Sequence, residues 1–422
     1  MEIYHEPGRD IPVFGHYDVV VVGGGFAGAG AAVAAARDGA KTLVVEKFSS
    51  FGGIGTMGLM NNVNGFRNQV KPDHIQTSKG IAEETILRLK AIDGLGDAAY
   101  IQEEYPTTPG KLSFGYAVDP EKVKLVLLQL LVEAKCHIIL NTCFSDAIME
   151  ENRVRGIIVE NKGGRYAIYG EAFVDASGDG DLAFRAGVPV HQVLDPKNHY
   201  LDAALMYRVS GFDASTRGRG DGVRIGNELT LWGPKGKLLD ALDPEALTAA
   251  EIRTRLTVYE DLEEQIKKWP WLKNSRIVET APLLGVRQTR FIEGEYTITV
   301  DDVLEGHTFD DAIAMASKPI IAFFGYRRYL THPGYDIPYR CMLPKKVEGL
   351  LVTGRCMSSD QAAFESWRSM SPVMCLGQAA GTAASMAVKQ GIVPRGISVP
   401  DLRAKLITLG AEVGQSRNER TQ

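Results

Sequence analysis

The sequence contains few cysteines, and none are close enough along the chain to form a paired motif. Five occur among 422 residues, whereas zinc and iron–sulfur sites need ligands grouped at short spacings. An odd and scattered set does not suit a disulfide framework either, which indicates a reducing compartment and predicts a cytoplasmic location. We therefore expect no metal site. The cysteines are Cys136, Cys143, Cys341, Cys356 and Cys375.

An excess of positive charge is also absent, and so are long apolar segments. The 47 lysines and arginines are fewer than the 52 aspartates and glutamates, giving a net charge of −5. No overall field therefore attracts nucleic acid or an anionic membrane. Residues 1–16 contain no apolar run and predict no secretion signal. Residues 19–36 are uncharged, but glycines interrupt them, so we predict a buried strand, turn and helix rather than a membrane span.

Glycine is abundant instead, with 45 residues in a chain whose 45% apolar content is ordinary for a globular protein. Residues 23–28 have a G-x-G-x-x-G spacing between an apolar strand at 17–22 and an alanine-rich helix at 29–37. A second strand at 41–45 ends at Glu46, whose carboxylate suits the hydroxyls of an adenosine ribose and would repel a 2′-phosphate. This arrangement predicts a dinucleotide site for NAD or FAD rather than NADP. The alternative is a glycine turn with a purely structural role.

The glycines of this turn have different expected tasks. Gly23 allows a tight turn, Gly25 lets the backbone approach a pyrophosphate, and Gly28 lets the helix pack closely on the strand. The amino end of the helix then offers unpaired N–H groups and a partial positive charge to the phosphates. The residues predicted to contact the nucleotide are Gly23, Gly25, Phe26, Ala27, Gly28, Glu46 and Lys47.

A second glycine-rich loop occupies residues 51–58, where a plain NAD dehydrogenase usually begins a helix. The loop suggests that backbone passes close to another part of a longer cofactor. The contacts expected from it are Gly52, Gly53 and Thr56. A surface loop is the alternative.

At this point the chain resembles flavoproteins with the glutathione-reductase-like FAD fold, and three later segments narrow the resemblance. Residues 171–181 are similar to the second FAD motif of such proteins, a strand that ends in Ala-Ser-Gly-Asp. Residues 282–296 are similar to the G-x-R-x-T-R and G-E-Y stretch of an FAD-dependent oxidoreductase family that includes heterodisulfide-reductase-like flavoproteins. Residues 337–340, 349–356 and 368–381 are together similar to the carboxy-terminal flavin-binding segment of that family and, more distantly, of fumarate reductase flavoproteins.

The resemblance implies FAD as the cofactor. The chain departs from the heterodisulfide-reductase branch because it lacks iron–sulfur cysteine clusters. The region after Glu46 has no histidine of the kind that attaches FAD covalently in some relatives, so we expect a non-covalent flavin. The further cofactor contacts that the resemblance implies are Ser177, Gly178, Asp179, Gly354, Arg355, Ser371, Val373 and Met374.

The predicted fold class is α/β: a Rossmann-like FAD-binding domain, with a parallel sheet and a β-meander, and an inserted α+β substrate-binding domain. The FAD-binding domain is predicted at residues 1–198 and 336–422, with the substrate-binding domain at 199–335. Residues 145–174 predict the meander, and residues 247–269 predict one amphipathic helix.

Ser371 and Pro372 predict the start of a helix, since serine is a good N-cap and proline is favoured at the first helical position. The resemblance implies that the amino end of this helix points at the flavin pyrimidine, where its dipole would stabilise negative charge. A well-capped core helix without a ligand is the alternative.

Four arginines lie in the recognisable segments and are candidates to bind a substrate carboxylate: Arg287, Arg290, Arg340 and Arg368. A structural ion pair is the alternative for each. His332 is the best general-base candidate, because histidine titrates near neutral pH, and a surface or core histidine is its alternative. The predicted catalytic set is Arg368, His332, Arg340 and Arg287. His74 and His199 are weaker candidates.

These features predict an FAD-dependent dehydrogenase, reductase or oxidase. It would transfer a hydride between flavin N5 and a small, anionic or hydroxylated metabolite. One alternative is a monooxygenase reduced by NAD(P)H, although no second glycine fingerprint follows residue 60. Another is a flavoprotein electron-transfer subunit of a larger complex. The expected partners are a small-molecule substrate and an electron donor or acceptor, not nucleic acid or a membrane. A homo-oligomer is left open.

Overall fold

Strands and helices alternate through the first part of the chain, as the glycine motif predicts. The computed structural model describes residues 2–70, 75–96, 114–192, 201–216, 222–237 and 239–415. In chain order, its strands are β1 (Val13–Val22), β2 (Thr42–Val45), β3 (Asn62–Asn64), β4 (Gly115–Ala117), β5 (His137–Ile139), β6 (Cys143–Glu150), β7 (Arg153–Asn161), β8 (Gly164–Asp175), β9 (Val190–Gln192), β10 (Ala203–Ser210), β11 (Gly222–Ile225), β12 (Glu228–Gly236), β13 (Arg276–Thr280), β14 (Arg290–Ile292), β15 (Ala312–Ala316), β16 (Tyr335–Pro338) and β17 (Leu350–Val352). Its α-helices are α1 (Phe26–Arg37), α2 (Ile81–Ala91), α3 (Pro120–Glu133), α4 (Asp181–Arg185), α5 (Pro244–Leu256), α6 (Val258–Lys268), α7 (Val300–Glu305), α8 (Gln361–Trp367), α9 (Met370–Gln390) and α10 (Val399–Thr408).

The central sheet is parallel where it carries the glycine motif. Five strands lie in the order β5–β2–β1–β8–β17, and each neighbouring pair is parallel. Residues 19–22 of β1 are paired with β2 on one side and β8 on the other. Valines suit such a strand because both of its faces are covered. The apolar run that leads into the glycine motif is therefore a central strand, as predicted.

β8 belongs to two parts of this sheet. Its residues 164–169 pair antiparallel with β7, and its residues 173–175 pair parallel with β17. β6 pairs antiparallel with β7 and completes the meander. The predicted meander is therefore present, and it ends on the strand that leads into the second predicted FAD motif.

Two helices beside this sheet touch each other almost backbone to backbone. Gly377 and Gly381 of α9 face Ala27 and Ala31 of α1, and a Cβ at either glycine would lie 2.0 Å from the facing carbonyl oxygen. The helices run parallel, because the second contact lies four residues further towards the carboxyl end than the first in both helices. The first residue of α1, Phe26, is thus level with the seventh of α9. On that side α9 extends about 9 Å beyond α1.

A second, antiparallel sheet lies in the region predicted to bind substrate. Its strand order is β11–β12–β10–β13, and α5 and α6 pack on it. It has a core of its own, which includes Tyr207, Leu231 and Leu262. The side-chain amide of Asn61, just before β3, donates to Thr230 Oγ1 of β12 at 3.0 Å. This sheet therefore contacts the segment that follows the second glycine loop.

The prediction of one helix over residues 247–269 is wrong. The segment forms two helices, α5 and α6, which meet at Thr257. The Thr257 hydroxyl donates to the carbonyl of Arg253 at 3.0 Å. Such side-chain bonds to the backbone of the preceding turn compete with a continuous helix.

The predicted start of the carboxy-terminal helix is also wrong, by two residues. α9 begins at Met370 and its N-cap is Ser369. The Ser371 hydroxyl donates to the carbonyl of Asn64 at 2.6 Å, so it connects α9 to β3 instead of capping the helix. Pro372 is tolerated within the first turn, where a backbone N–H has no partner inside the helix.

The domain boundaries predicted from the sequence stay predictions. The first, between residues 198 and 199, lies outside the described residues together with His199. The second, between residues 335 and 336, falls inside β16, which pairs with β15. Within the described part of the chain, no helix has the length and apolar character needed to cross a membrane.

The close contact between α1 and α9 can be tested at Gly381. The change Gly381→Ala should lower the free energy of unfolding by about 3 kcal/mol, because the new Cβ would meet the backbone of Ala31. Gly396→Ala is the matched control, since its Cβ would have its nearest neighbour at 3.6 Å. Urea denaturation of both variants measures the difference. Equal midpoints would contradict the close contact.

Candidate active site

The three motif glycines differ in what surrounds them. Gly23 has a φ of 97°, and a Cβ there would lie 2.5 Å from the carbonyl oxygen of Ala176. A Cβ at Gly28 would lie 1.7 Å from the carbonyl oxygen of Gly23. At Gly25, where φ is −66°, a Cβ would have no atom of the described residues within 4 Å. Packing within the chain requires Gly23 and Gly28, whereas Gly25 leaves open space beside the amino end of α1.

The second glycine loop lies directly on the first. The N–H of Gly52 donates to the carbonyl of Gly24 at 2.9 Å, and a Cβ at Gly53 would lie 3.2 Å from the Cα of Gly25. The Thr56 hydroxyl donates to the carbonyl of Phe51 at 2.8 Å and so shapes the loop. The residues predicted from the two glycine-rich segments are thus brought together at one place.

Glu46, the residue after β2, contacts the first glycine-rich loop. Its side chain is buried, and burial raises its pKa. One carboxylate oxygen accepts the N–H of Gly24 at 2.5 Å, and the other accepts the N–H of Phe48 at 2.9 Å. Each oxygen keeps a second lone pair for a ligand hydroxyl. The neighbouring Lys47 is exposed, with its ammonium over the ring of Phe48.

The second predicted FAD motif is organised by Asp175 at the end of β8. One carboxylate oxygen accepts from the N–H and the hydroxyl of Ser177, at 3.0 and 2.7 Å. The other accepts from the N–H of Ala183 at 2.9 Å. Burial raises the pKa of Asp175 to about 6. This carboxyl therefore fixes the turn that contains Ser177 and Gly178.

Asp179 joins this turn to the carboxy-terminal segment. It accepts from the Thr289 hydroxyl at 2.7 Å and from the Arg355 guanidinium at 2.5 Å. Arg290 donates to the Asp179 carbonyl and to the Asp181 carboxylate, at 3.0 and 3.1 Å. Arg290 and Arg355 are thus engaged in ion pairs, which is the structural alternative raised for Arg290.

The carboxy-terminal contacts predicted for FAD lie on and next to α9. Gly354, with a φ of 81°, would place a Cβ 3.2 Å from the Cβ of Ala27. Met374 packs against Gly30 of α1. Val373 lies in the first turn of α9, where its N–H donates to the carbonyl of Ser369. These residues therefore lie near the amino ends of both helices.

Three cations gather beside the amino end of α9. Arg287 precedes β14, Lys318 follows β15, and Arg368 lies between α8 and α9. We call these three residues the cationic cluster. The Lys318 ammonium donates to the Ser369 hydroxyl at 2.5 Å. The Nε of Arg368 is buried and has no hydrogen-bond partner among the described residues.

The pKa values of the cationic cluster are all lowered. Desolvation and the Arg287 charge lower the pKa of Arg368 to about 9, although Glu365 attracts it. Desolvation and the charge of Arg368 lower the pKa of Lys318 to about 7. Desolvation lowers that of Arg287, although Asp202 attracts it. Each residue keeps some accessible surface, so the cluster is only partly buried. Such a site suits an anion.

His332 and Arg340 interact elsewhere. The His332 ring nitrogens face the carbonyls of Gly334 and Val303 at 3.1 and 2.9 Å. Arg340 pairs with Asp311 at 2.9 Å, and this bond raises its pKa. Asp311 precedes β15 and Lys318 follows it. The five residues of that strand, at roughly 3.3 Å each, separate Arg340 from the cationic cluster.

The structure thus brings two of the predicted catalytic residues together, Arg287 and Arg368, and adds Lys318. No prediction from the sequence named Lys318. The signal available was weak: a charged residue two positions after the buried apolar run of β15. His74, a weaker candidate, lies outside the described residues.

The residues of this site fit a long dinucleotide such as FAD. Open space at Gly25 lies beside the amino end of α1, and the amino end of α9 extends about 9 Å further on the same side. Two positive helix ends at that separation suit a pyrophosphate and, beyond it, a ring system that gains negative charge. The cationic cluster lies at the second of these ends.

Comparisons with known proteins agree with this fit. The family described as "FAD dependent oxidoreductase" matches residues 18–225 and 212–406. Thiamine thiazole synthase of Methanococcus vannielii is 28% identical over 229 residues, 52% of this chain and 68% of that protein. Digeranylgeranylglycerophospholipid reductase 1 of Methanococcoides burtonii is 26% identical over 198 residues, 47% of this chain and 45% of that protein.

Among solved structures, a geranylgeranyl bacteriochlorophyll reductase-like protein of Thermoplasma acidophilum has a TM-score of 0.52. The similarity covers 93% of this chain and 83% of that one, at 16% identity. At this identity the similarity concerns the fold alone. It agrees with a mixed α/β chain built on a parallel-rich, Rossmann-like sheet.

The open space at Gly25 generates a test of the cofactor site. Gly25→Ala should lower the affinity for FAD at least about tenfold, or ~1.4 kcal/mol, because the new Cβ would occupy that space. The apoprotein should keep its melting temperature, since no described atom is displaced. Gly236→Ala, whose Cβ would have its nearest neighbour at 3.7 Å in the second sheet, is the control. FAD titration and thermal melting measure both effects, and unchanged FAD affinity in Gly25→Ala would contradict the site.

Proposed function

The chain belongs to the FAD-dependent oxidoreductase family, and from this premise we propose that it transfers a hydride between the flavin and a small metabolite that carries a carboxylate. The protein is an enzyme and FAD is its cofactor. We further propose that FAD is held without a covalent bond, since the second glycine-rich loop, which follows Glu46, contains no histidine. The heterodisulfide-reductase-like and fumarate-reductase-like subfamilies remain the proposed relatives.

The cationic cluster is the observation that supports an anionic substrate. Desolvation lowers the pKa of all three cations, the Arg287 charge lowers that of Arg368, and the charges of Arg368 and Arg287 lower that of Lys318. Glu365 is the carboxylate that attracts both Lys318 and Arg368, and one of its oxygens already accepts two backbone N–H groups. Positive charges in surroundings of low polarity are unfavourable unless a counter-charge is supplied. A substrate carboxylate would supply it.

Residues of the cationic cluster and the amino end of α9 would bind the substrate in different ways. Arg368 and Arg287 offer planar guanidinium groups, which can hold a carboxylate through two parallel hydrogen bonds. The amino end of α9 adds a partial positive charge beside them. When bound, FAD supplies the two-electron redox chemistry at N5. Because the cluster lies beside that helix end, it would hold the substrate close to the flavin ring.

The proposed function and its two alternatives predict different behaviour of the flavin. If the proposed function is right, the purified enzyme should show flavin absorption bands that persist after anaerobic addition of NADH or NADPH, since the substrate supplies or receives the electrons. Dithionite, which should bleach the bands, is the positive control. Bleaching by a nicotinamide within seconds would favour the monooxygenase, and constant copurification with a second protein would favour an electron-transfer subunit.

The cationic cluster can be compared directly with Arg340, the other arginine predicted to bind substrate. Oxalate serves as an unreactive carboxylate probe on the FAD-loaded enzyme. Arg368→Gln should raise the Kd for oxalate at least about tenfold, the cost of losing one charge-assisted contact. Arg340→Gln, which removes an ion pair with Asp311, should leave the Kd unchanged.

Calorimetry at pH 6.5 measures the affinity, and absorbance measures FAD content in both variants. Loss of FAD from Arg368→Gln would make Arg368 a cofactor residue. Loss of oxalate binding in Arg340→Gln alone would move the substrate site to the other end of β15.

A further inference from the structure

Lys318 has surroundings that differ from those of the two arginines in the cationic cluster. Its ammonium donates to the hydroxyl of Ser369, the N-cap residue of α9, at 2.5 Å. An ammonium carries three N–H donors, and the side chain is accessible in part. Lys318 can therefore keep its contact with Ser369 and bind a substrate atom as well.

The backbone on both sides of Lys318 is held in place. The carbonyl of Lys318 accepts from the hydroxyl of Ser366. The hydroxyl of Ser317 contacts that of Thr77 at 3.2 Å. Because neighbours fix the chain on either side, the amine is positioned before substrate arrives, as a group that takes part in chemistry requires.

The same arrangement continues into the loop after Lys318. One Glu365 oxygen accepts the N–H groups of Ala322 and Phe323 at 2.6 and 2.9 Å. Glu365 belongs to α8, the helix that ends beside Arg368. The buried Glu365 carboxylate thus connects this loop to α8 by hydrogen bonds, and its charge attracts Lys318 and Arg368.

Charged groups from several elements act on Lys318. Arg368 comes from the junction of α8 and α9, Arg287 from the segment before β14, and Arg327 from the loop after Lys318. Glu365 is the carboxylate among them. Desolvation and the three cations together lower the pKa of Lys318 to about 7, against the attraction of Glu365. The amine is therefore able to give and take a proton near neutral pH.

We propose that Lys318 exchanges a proton with a substrate hydroxyl while Arg287 and Arg368 hold the substrate carboxylate. The substrate is then a hydroxy acid, or the oxo acid formed from it. This inference rests on the proposed function. Lys318 suits the task better than its neighbouring arginine, because its pKa is lowered to about 7 whereas that of Arg368 is lowered only to about 9.

The proton and electron balance is complete in either direction. Oxidation of a CH–OH group removes a hydride from carbon, which the redox cofactor accounts for, and a proton from oxygen. The neutral Lys318 amine takes that proton: the O–H bond breaks, an N–H bond forms, and the O–H electron pair becomes part of the new C=O bond. Reduction reverses these steps, with the Lys318 ammonium as the acid.

The pH dependence of oxalate binding tests this role without knowledge of the substrate. Below about pH 7 Lys318 is charged and should support binding, and above pH 7 it becomes neutral. The affinity of the FAD-loaded enzyme for oxalate should therefore fall about tenfold between pH 6 and pH 8.5. Lys318→Arg should bind oxalate with a much weaker dependence, because a guanidinium loses its proton at a higher pH than an ammonium in the same surroundings. Lys318→Gln should bind weakly at both pH values.

A spectroscopic readout observes the amine itself. Lysines of the FAD-loaded enzyme are dimethylated with ¹³C-formaldehyde, and the methyl resonances are followed by NMR as the pH is raised. One resonance, absent from Lys318→Arg, should titrate near pH 7. Oxalate should raise its titration midpoint by at least about one pH unit, because a bound anion stabilises the ammonium.

The outcomes separate this inference from the proposed function. If oxalate binds but no lysine titrates below pH 9, Lys318 is a permanent charge, the inference is wrong and the proposed function stands. If oxalate does not bind the wild-type enzyme at either pH, the anionic substrate and the role of Lys318 are both wrong. A resonance that titrates near pH 7, responds to oxalate and is still present in Lys318→Arg would assign the proton exchange to another amine.

Discussion

The contact between α1 and α9 is the constraint on which the rest of the site depends. Gly377 and Gly381 let the backbone of α9 touch that of α1 at Ala27 and Ala31. Any side chain there would force the helices apart and shift their amino ends relative to each other. Because the helices are parallel and offset by about 9 Å, one amino end lies at the glycine turn and the other at the cationic cluster. One packing contact thus sets the distance between the nucleotide site and the substrate site.

Much of the fold could be predicted because its signals are local. The strand at residues 19–22, the turn at 23–28 and the acidic end at Glu46 follow one another in the chain, and each has a steric or electrostatic reason that does not depend on distant residues. The meander was predictable for the same reason, since apolar strands and glycine turns alternate within it. The helix start at Ser371 was not, because a hydrogen bond to Asn64, more than 300 residues away, overrides the local preference for capping.

The candidate site was less predictable because tertiary packing assembles it. Arg287, Lys318 and Arg368 come from three separate segments, and their proximity appears only when β15, α8 and the segment before β14 meet. Sequence reasoning named the two arginines from a family motif but could not tell them from Arg340, which pairs with Asp311. Lys318 lies in no motif, so only its neighbours in the folded protein identify it as a candidate site residue.

The arginines of this protein show how such a distinction can be made. Arg355 and Arg290 lie beside the second FAD motif and are neutralised by Asp179 and Asp181. Arg368, in contrast, keeps a buried Nε without a partner among the described residues. A paired charge holds a turn in place, whereas a desolvated charge beside another cation, as at Arg368, costs stability until a ligand neutralises it. The fold therefore bears an electrostatic cost at the amino end of α9, which is where an anionic substrate would offset it.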